Sequence, residues 1–291
     1  MIPNIPTVTK PHPSRRRLYI YGAAGIIAIF VVGVSLHIAR TAPSHDRTWS
    51  PDQAVLPAAS FDGDEITIHN VRNFRYEDTT TWHPAYEDRT YTLSDLDSVW
   101  YIVEPFGTLG AAHTFLSFGF RDGEHIAISI EIRKQAGQTF SAFRGLFRSY
   151  ELMYVIADER DVIDLRSRHR ANDIYLYPIT IPPAAAQDLF VAMLDRTNEI
   201  AAQPEFYNTL TNNCTNNIVH HINAVTEQTI PINRYILLPA HSDKLALELG
   251  LIDTTHTLIE DVRDQYRIVA GTTPDPAVPD YARQLRRHHY E

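Results

Sequence analysis

The chain has 291 residues, of which 44% are hydrophobic, a formal net charge of −9 and one cysteine. That length suits one large domain or two small ones, and the acidic balance offers nucleic acid no electrostatic footprint. A single cysteine excludes an intramolecular disulfide.

In chain order, residues 1–17 are proline-rich and polar and read as a disordered cytoplasmic tail. Leu18 to Leu36 carries no charged residue, and its 19 positions approach the roughly 20 that a bilayer core needs. Lys10, Arg15, Arg16 and Arg17 precede this run, whereas Arg40 and Arg47 after it are offset by Asp46 and Asp52. The charge bias predicts a single-pass inner-membrane anchor over 18–36 with the rest of the chain in the periplasm. A cleaved signal peptide is the rival reading, but the run is long and His37-Ile38-Ala39-Arg40 is a poor cleavage site. Residues 37–60 read as a linker, 61–270 as the folded domain, and 271–291 as a disordered tail ending in Arg283, Arg286, Arg287, His288 and His289.

Within the domain, Asp64 to Val71 alternates as a strand, and Ser98 to Val103 is short and ambiguous. His113–Phe120 and His125–Arg133 predict a hairpin around Arg121–Glu124. Gln138–Val155 has helical aromatic spacing, and Asp173–Ile181 alternates as a strand. Pro182-Pro183 opens a helix over 184–202, Asn213–Val225 predicts a second, and Ser242–Leu249 a short one stopped by Gly250. Strands and helices mix without regular βαβ alternation, which predicts an α+β domain with an antiparallel sheet and a cysteine-bearing helix.

The cysteine is Cys214, inside Thr211-Asn212-Asn213-Cys214-Thr215-Asn216-Asn217. Asn212 or Asn213 is a natural N-cap, which places the thiol in the first helical turn. There the helix dipole favours thiolate, and free backbone N–H groups suit an oxyanion. A buried inert thiol is the alternative. His113 opens a strand-like run and is the candidate base. If Arg121-Asp122-Gly123 is a three-residue loop, Phe115 pairs with Ser129 and His113 with Glu131, a carboxylate placed to orient the imidazole. A two-residue turn puts Ile132 there instead and turns Glu131 to the other face. Asn213 and Thr215, flanking the thiol, and Arg166 and Arg170, in the alternating run Arg166-Ser167-Arg168-His169-Arg170, are candidate substrate contacts. A solvated loop with internal ion pairs is the competing reading of that run. Zinc is disfavoured, because Cys214, His113, His220 and His221 lack any metal-ligand spacing. No cofactor is expected.

Several blocks resemble one family in order. They are Val71-Arg72-Asn73-Phe74-Arg75-Tyr76, Ala112-His113-Thr114-Phe115-Leu116-Ser117-Phe118-Gly119-Phe120 and Ser129-Ile130-Glu131-Ile132-Arg133. Tyr154 to Asp161, Tyr175-Leu176-Tyr177 and Phe206 to Thr215 complete the set. The resemblance is to the Lnb N-terminal periplasmic domain, over about Phe61 to Asp253. It implies a periplasmic cysteine enzyme that N-acylates lipoproteins with a chain taken from phospholipid. It also implies a fold similar to the permuted papain-like, NlpC/P60-like hydrolases and acyltransferases, with Cys214 as nucleophile and His113 as base. The single N-terminal span departs from Lnb, which continues into a membrane region. Two alternatives stay open: a thiol hydrolase or peptidase of the cell envelope, and a non-catalytic membrane-tethered binding domain.

Overall fold

The computed structural model describes residues 15–107, 110–227 and 229–287. Most of the expected cytoplasmic tail, residues 1–14, lies outside these, as do His288 and His289 of the basic terminus. The chain divides into two compact units, Met1–Ala42 and Pro43–Glu291.

The first unit carries helix α1 (Arg15–Arg40). Its stretch Tyr19–Arg40, 22 residues with a mean hydropathy of 2.2, is long and apolar enough to cross a membrane. It is exposed along almost its whole length, as a helix that meets lipid has to be.

The second unit contains β1 (Ala58–Asp62), β2 (Glu65–Arg72), β3 (Arg75–Tyr76), β4 (Trp82–His83), β5 (Tyr86–Thr92), β6 (Leu96–Pro105), β7 (Ala112–Phe120), β8 (His125–Arg133) and β9 (Glu151–Asp158). It continues with α2 (Glu159–Asp164), β10 (Ile174–Pro178), α3 (Pro183–Ala202), α4 (Cys214–Val225), α5 (Arg234–Leu237) and α6 (Ser242–Glu248). Last come α7 (Ile259–Tyr266), β11 (Arg267–Ile268) and α8 (Tyr281–Leu285). The main sheet runs β1-β2-β9-β8-β7-β6-β10-β11, with β5 also paired to β2. It is mixed rather than wholly antiparallel, because β2 meets β9 in parallel through Arg72 and Ala157.

The β7–β8 hairpin has the three-residue loop. Phe120 N–H donates to the Glu124 carbonyl at 2.9 Å, and Gly123 takes φ +91°, which a residue with a Cβ rarely adopts. Phe115 consequently faces Ser129. Both strands lie in the middle of the sheet and are buried on both faces, so they read as nearly continuous apolar runs.

The pleat sorts the core into two layers. Leu116, Phe118, Ile128, Tyr154 and Ile156 face one side and pack against Leu189, Phe190 and Met193 of α3 and Cys214 and Ile218 of α4. Trp100, Ile102, Phe115, Ala127 and Val155 face the other, under Val162 and Ile163 of α2 and Tyr281 and Leu285 of α8.

Three segments differ from the sequence reading. Gln138–Val155 is not a helix. A short 3-10 turn at Arg144–Leu146 is followed by β9, because Glu151 to Asp158 pairs with β8 over its whole length. The supposed linker is structured from Pro43: Ser44 N–H donates to Glu151 at 2.8 Å, Trp49 stacks under the Arg133 guanidinium, and Gln53 is buried. The tail beyond 270 is not disordered over its described part. Arg286 is 1% exposed, ion-paired with Glu159 and stacked 4.6 Å from the Trp100 ring centroid. Burial works against a charged Glu159, but Arg286 outweighs it and holds the carboxyl at about 2. Removing one partner of such a pair strands the other, so Arg286→Met is expected to cost about 3–5 kcal/mol. Arg286→Met with Glu159→Gln should recover most of that. Urea unfolding of the two variants checks it; equal losses would mean the pair contributes only packing.

Candidate functional site

Strand β7 presents two consecutive residues to opposite layers. Thr114 points to the α4 side, where its Oγ1 lies 3.0 Å from Thr215 Oγ1. His113, one position earlier, turns to the other side. Its Nε2 lies 2.7 Å from Ser129 Oγ, which in turn donates to Glu131 Oε1 at 2.9 Å. His113 Nε2 and Glu131 Oε1 are themselves 3.7 Å apart. Thus His113, Ser129 and Glu131 share a face, and Glu104 of β6 stands opposite His113 on the other flank.

Arg166 closes this cluster from the π-helical turn Leu165–His169 that follows α2. It donates to Glu131 at 2.8 Å and to the Val162 carbonyl at 2.8 Å. Its Nε lies 2.8 Å from Glu104 Oε2, off hydrogen-bond alignment. Asn172 also donates to Glu104, at 2.8 Å, and Arg170 reaches it at 3.7 Å. Arg166 is 2% exposed, so it has no face left for a substrate anion and acts as the hub of a buried ion-pair network. Arg170 keeps an exposed flank. Ser129 lies on the face of His113 that the three-residue loop implies, whereas Glu104 and Asn172 were not singled out from sequence. Glu104, a lone carboxylate directly after the apolar run Val99–Val103, was the available signal.

Burial, reinforced by Arg166 and Arg170 and opposed by Glu131, pushes the His113 imidazole down to about 3. Burial works to raise the Glu131 carboxyl, but Arg166, His113, Arg72 and Arg170 outweigh it and hold it well below the carboxylate range. The resting ring is therefore neutral beside an ionised Glu131. Burial also lowers His125 and His221 to about 4. All three histidines take up protons in the unfolded chain near 6.5 that the fold refuses. Stability is therefore expected to be full above about pH 7 and to fall as the pH drops through 6.5 toward 4. Urea midpoints across that range test this; a flat profile between pH 7 and 5 would contradict it.

Cys214 opens α4 on the opposite face. Asn213 caps the helix: its Oδ1 accepts from Asn216 N–H at 2.9 Å, and its Nδ2 donates to the Thr209 carbonyl at 2.7 Å. Both polar atoms of Asn213 are thereby committed to the backbone. The thiol is 5% exposed and lies 3.7 Å from Thr215 Oγ1. Burial foremost, and the nearby Cys214, raise the phenols of Tyr101 and Tyr207. Tyr101 is anchored by a 2.7 Å bond to Ser242. Thr215 and Tyr101 stand at the wall of a cavity of about 460 Å³ whose other lining includes Leu116, Leu189, Ile218 and Ile222. Among the described residues no hydrogen bond joins His113 to Cys214. Each sits one position from the contacting pair Thr114–Thr215. His221, on the same helix, is engaged by Tyr154 at 2.8 Å.

The sequence model of the Lnb N-terminal periplasmic domain matches residues 82–242, more than half of the chain. The chain belongs to this family. The Lnb match begins in β4, contains His113, Glu131, Arg166 and Cys214, and ends at Ser242, the residue that anchors Tyr101. No curated protein and no solved structure matches the chain. The Lnb periplasmic domain and the N-terminal apolar helix together support a membrane-anchored periplasmic domain.

Proposed function

We propose that this protein is a cysteine-dependent acyltransferase held at the inner membrane by α1, with Cys214 as nucleophile and a permuted papain-like arrangement of helix and sheet. The observation that carries the reading is a buried thiol at the start of α4, whose neighbour Thr215 lines a mostly apolar cavity, in a chain of the Lnb family. A cavity of about 460 Å³ falls within the range of small-molecule sites. A mostly apolar wall, interrupted by hydroxyls such as Thr215 and Ser242, suits an acyl chain better than a peptide or a sugar. The Cys214 sulfur attacks a phospholipid ester carbonyl, the glycerol oxygen leaves with the thiol proton, and a thioester remains on Cys214. The amine of a lipoprotein's terminal cysteine then attacks the thioester, forming an amide and returning the thiol. Backbone N–H groups of the first turn of α4 are the available oxyanion donors.

His113 is the base in this reading. Ser129 and Glu131 hold Nε2, and Nδ1, which has no hydrogen bond among the described residues, is left for the thiol proton. The start of β7 then has to shift as substrate enters, because its pleat turns the ring away from α4. That same observation favours a second reading, a tethered domain that binds lipid or acylated protein without turnover.

One assay separates them. The full chain is reconstituted with phosphatidylethanolamine and a peptide bearing an N-terminal diacylglyceryl cysteine. Amide-linked acyl peptide, absent with Cys214→Ala, supports the transferase. Free fatty acid alone indicates a hydrolase, peptidoglycan fragments from a cell-wall substrate a peptidase, and no product from the folded protein a binding domain.

A further inference from the structure

The loop between β8 and β9 places aromatic side chains in solvent. Phe143 is 64% exposed and Phe140 47%. Phe143 packs edge-on against Phe147, and Phe140 against Phe106. Next to them, Leu210 is 51% exposed on the turn that leads into Cys214. The two segments are joined: Thr209 Oγ1 donates to the Ala142 carbonyl at 2.7 Å, and Thr209 N–H faces the Gly145 carbonyl. Asn213 in turn holds the Thr209 carbonyl. The exposed aromatic cluster is therefore coupled to the cap of the cysteine helix.

Its charge is unlike that of the rest of the chain. The protein carries a net −9, yet residues 132–150 contain Arg133, Lys134, Arg144 and Arg148 and no carboxylate. Residues 206–217 contain none either. Arg133 is buried, whereas Arg144 and Arg148 are exposed among the phenylalanines. Rings that reach into the acyl boundary, flanked by arginines that stay at headgroup level, form the pattern of an interfacial membrane contact. A contiguous exposed apolar patch on a monomer marks an interaction surface. The helix α1, long and apolar enough to cross a membrane, would keep a bilayer close to the domain.

We propose that Phe140, Phe143 and Leu210, with Arg144 and Arg148, dock the periplasmic domain onto anionic phospholipid, bringing the capped start of the cysteine helix close to the membrane surface. The proposal rests on the anchor and on this surface, and does not require Cys214 to be catalytic. Docking delivers a lipid ester to the thiol without the lipid crossing water, and gives this loop a function that its lack of regular structure does not suggest.

The test uses the full chain with Cys214→Ala, reconstituted in phosphatidylethanolamine vesicles with or without phosphatidylglycerol. Phe143→Cys carries a bimane label; Asp122→Cys, in the turn at the opposite end of β8, is the control. The label at 143 should be quenched by spin-labelled lipid and shielded from aqueous iodide, and the label at 122 the reverse. Removing either arginine (Arg144→Gln or Arg148→Gln) should weaken the phosphatidylglycerol-dependent part about fivefold. Iodide access at 143 equal to that at 122 in both lipids overturns the proposal. So does lipid quenching indifferent to phosphatidylglycerol and to both arginines. The readout needs no turnover, so its failure leaves the acyl-transfer reading standing, and failure of acyl transfer leaves this one standing.

Discussion

Cys214→Ala is expected to lower acyl transfer by at least about 10³-fold while changing unfolding stability by no more than about 1 kcal/mol. No other thiol exists in the chain to substitute for it. On the proposed route its loss removes the covalent intermediate and not merely a contact. The stability change stays small because alanine fills most of the space of a side chain that makes a single long polar contact, to Thr215. Cys214→Ser should be nearly as inactive. A hydroxyl needs a stronger base than a thiol does, and burial with Arg166 and Arg170 has weakened the imidazole proposed to serve it. Both variants are checked by single-turnover assays beside urea unfolding. A Cys214→Ala protein that keeps more than about a tenth of wild-type turnover would rule out nucleophilic catalysis at this position.

Arg166→Met carries an expected stability effect as large as that of Arg286→Met. Two carboxylates depend on this guanidinium: Glu104 at 2.8 Å, 0% exposed, and the partly buried Glu131 at 2.8 Å. Methionine fills much of the volume but leaves both charges to weaker partners, Asn172 and Arg170 for Glu104 and Ser129 for Glu131. Breaking a buried pair in this way costs about 3–5 kcal/mol, mostly the penalty of the stranded charge. Combining Arg166→Met with Glu104→Gln and Glu131→Gln should return most of that, since a network replaced as a whole avoids uncompensated charge. Denaturant midpoints for the single and triple variants decide it. A triple variant no more stable than the single would show that Arg166 contributes through its contact 5.0 Å from the Phe115 ring centroid, and not through its charge.

The hairpin and the cysteine helix were legible in the sequence for local reasons. Asp122-Gly123 marks the turn but left two loop lengths open, of which the structure has the one that pairs Phe115 with Ser129, and Asn213 sets the start of α4. The face on which α4 lies was not legible. A strand alternates faces every residue, and whether α4 covers His113 or Thr114 depends on how α2, α3 and α8 divide the two sides of the sheet. In the run Arg166–Arg170 the internal ion pairing was legible, but not that Arg166 is buried in it while Arg170 keeps an exposed flank. The phenylalanines at 140, 143 and 147 imitate a helical stripe because a surface cluster and a buried stripe share the same spacing. The C-terminal segment was misjudged by composition, which cannot register that one arginine finds a buried glutamate 127 positions away.

The most direct measurement is the intact mass of the full chain after incubation with phosphatidylethanolamine and no acceptor peptide. Acyl transfer through Cys214 predicts a mass increase of one acyl group, located at Cys214, removed by neutral hydroxylamine and absent in Cys214→Ala. His113→Ala should form it far more slowly. Amide product formed without such an adduct, or an adduct that Cys214→Ala retains, would contradict a thioester route through this residue.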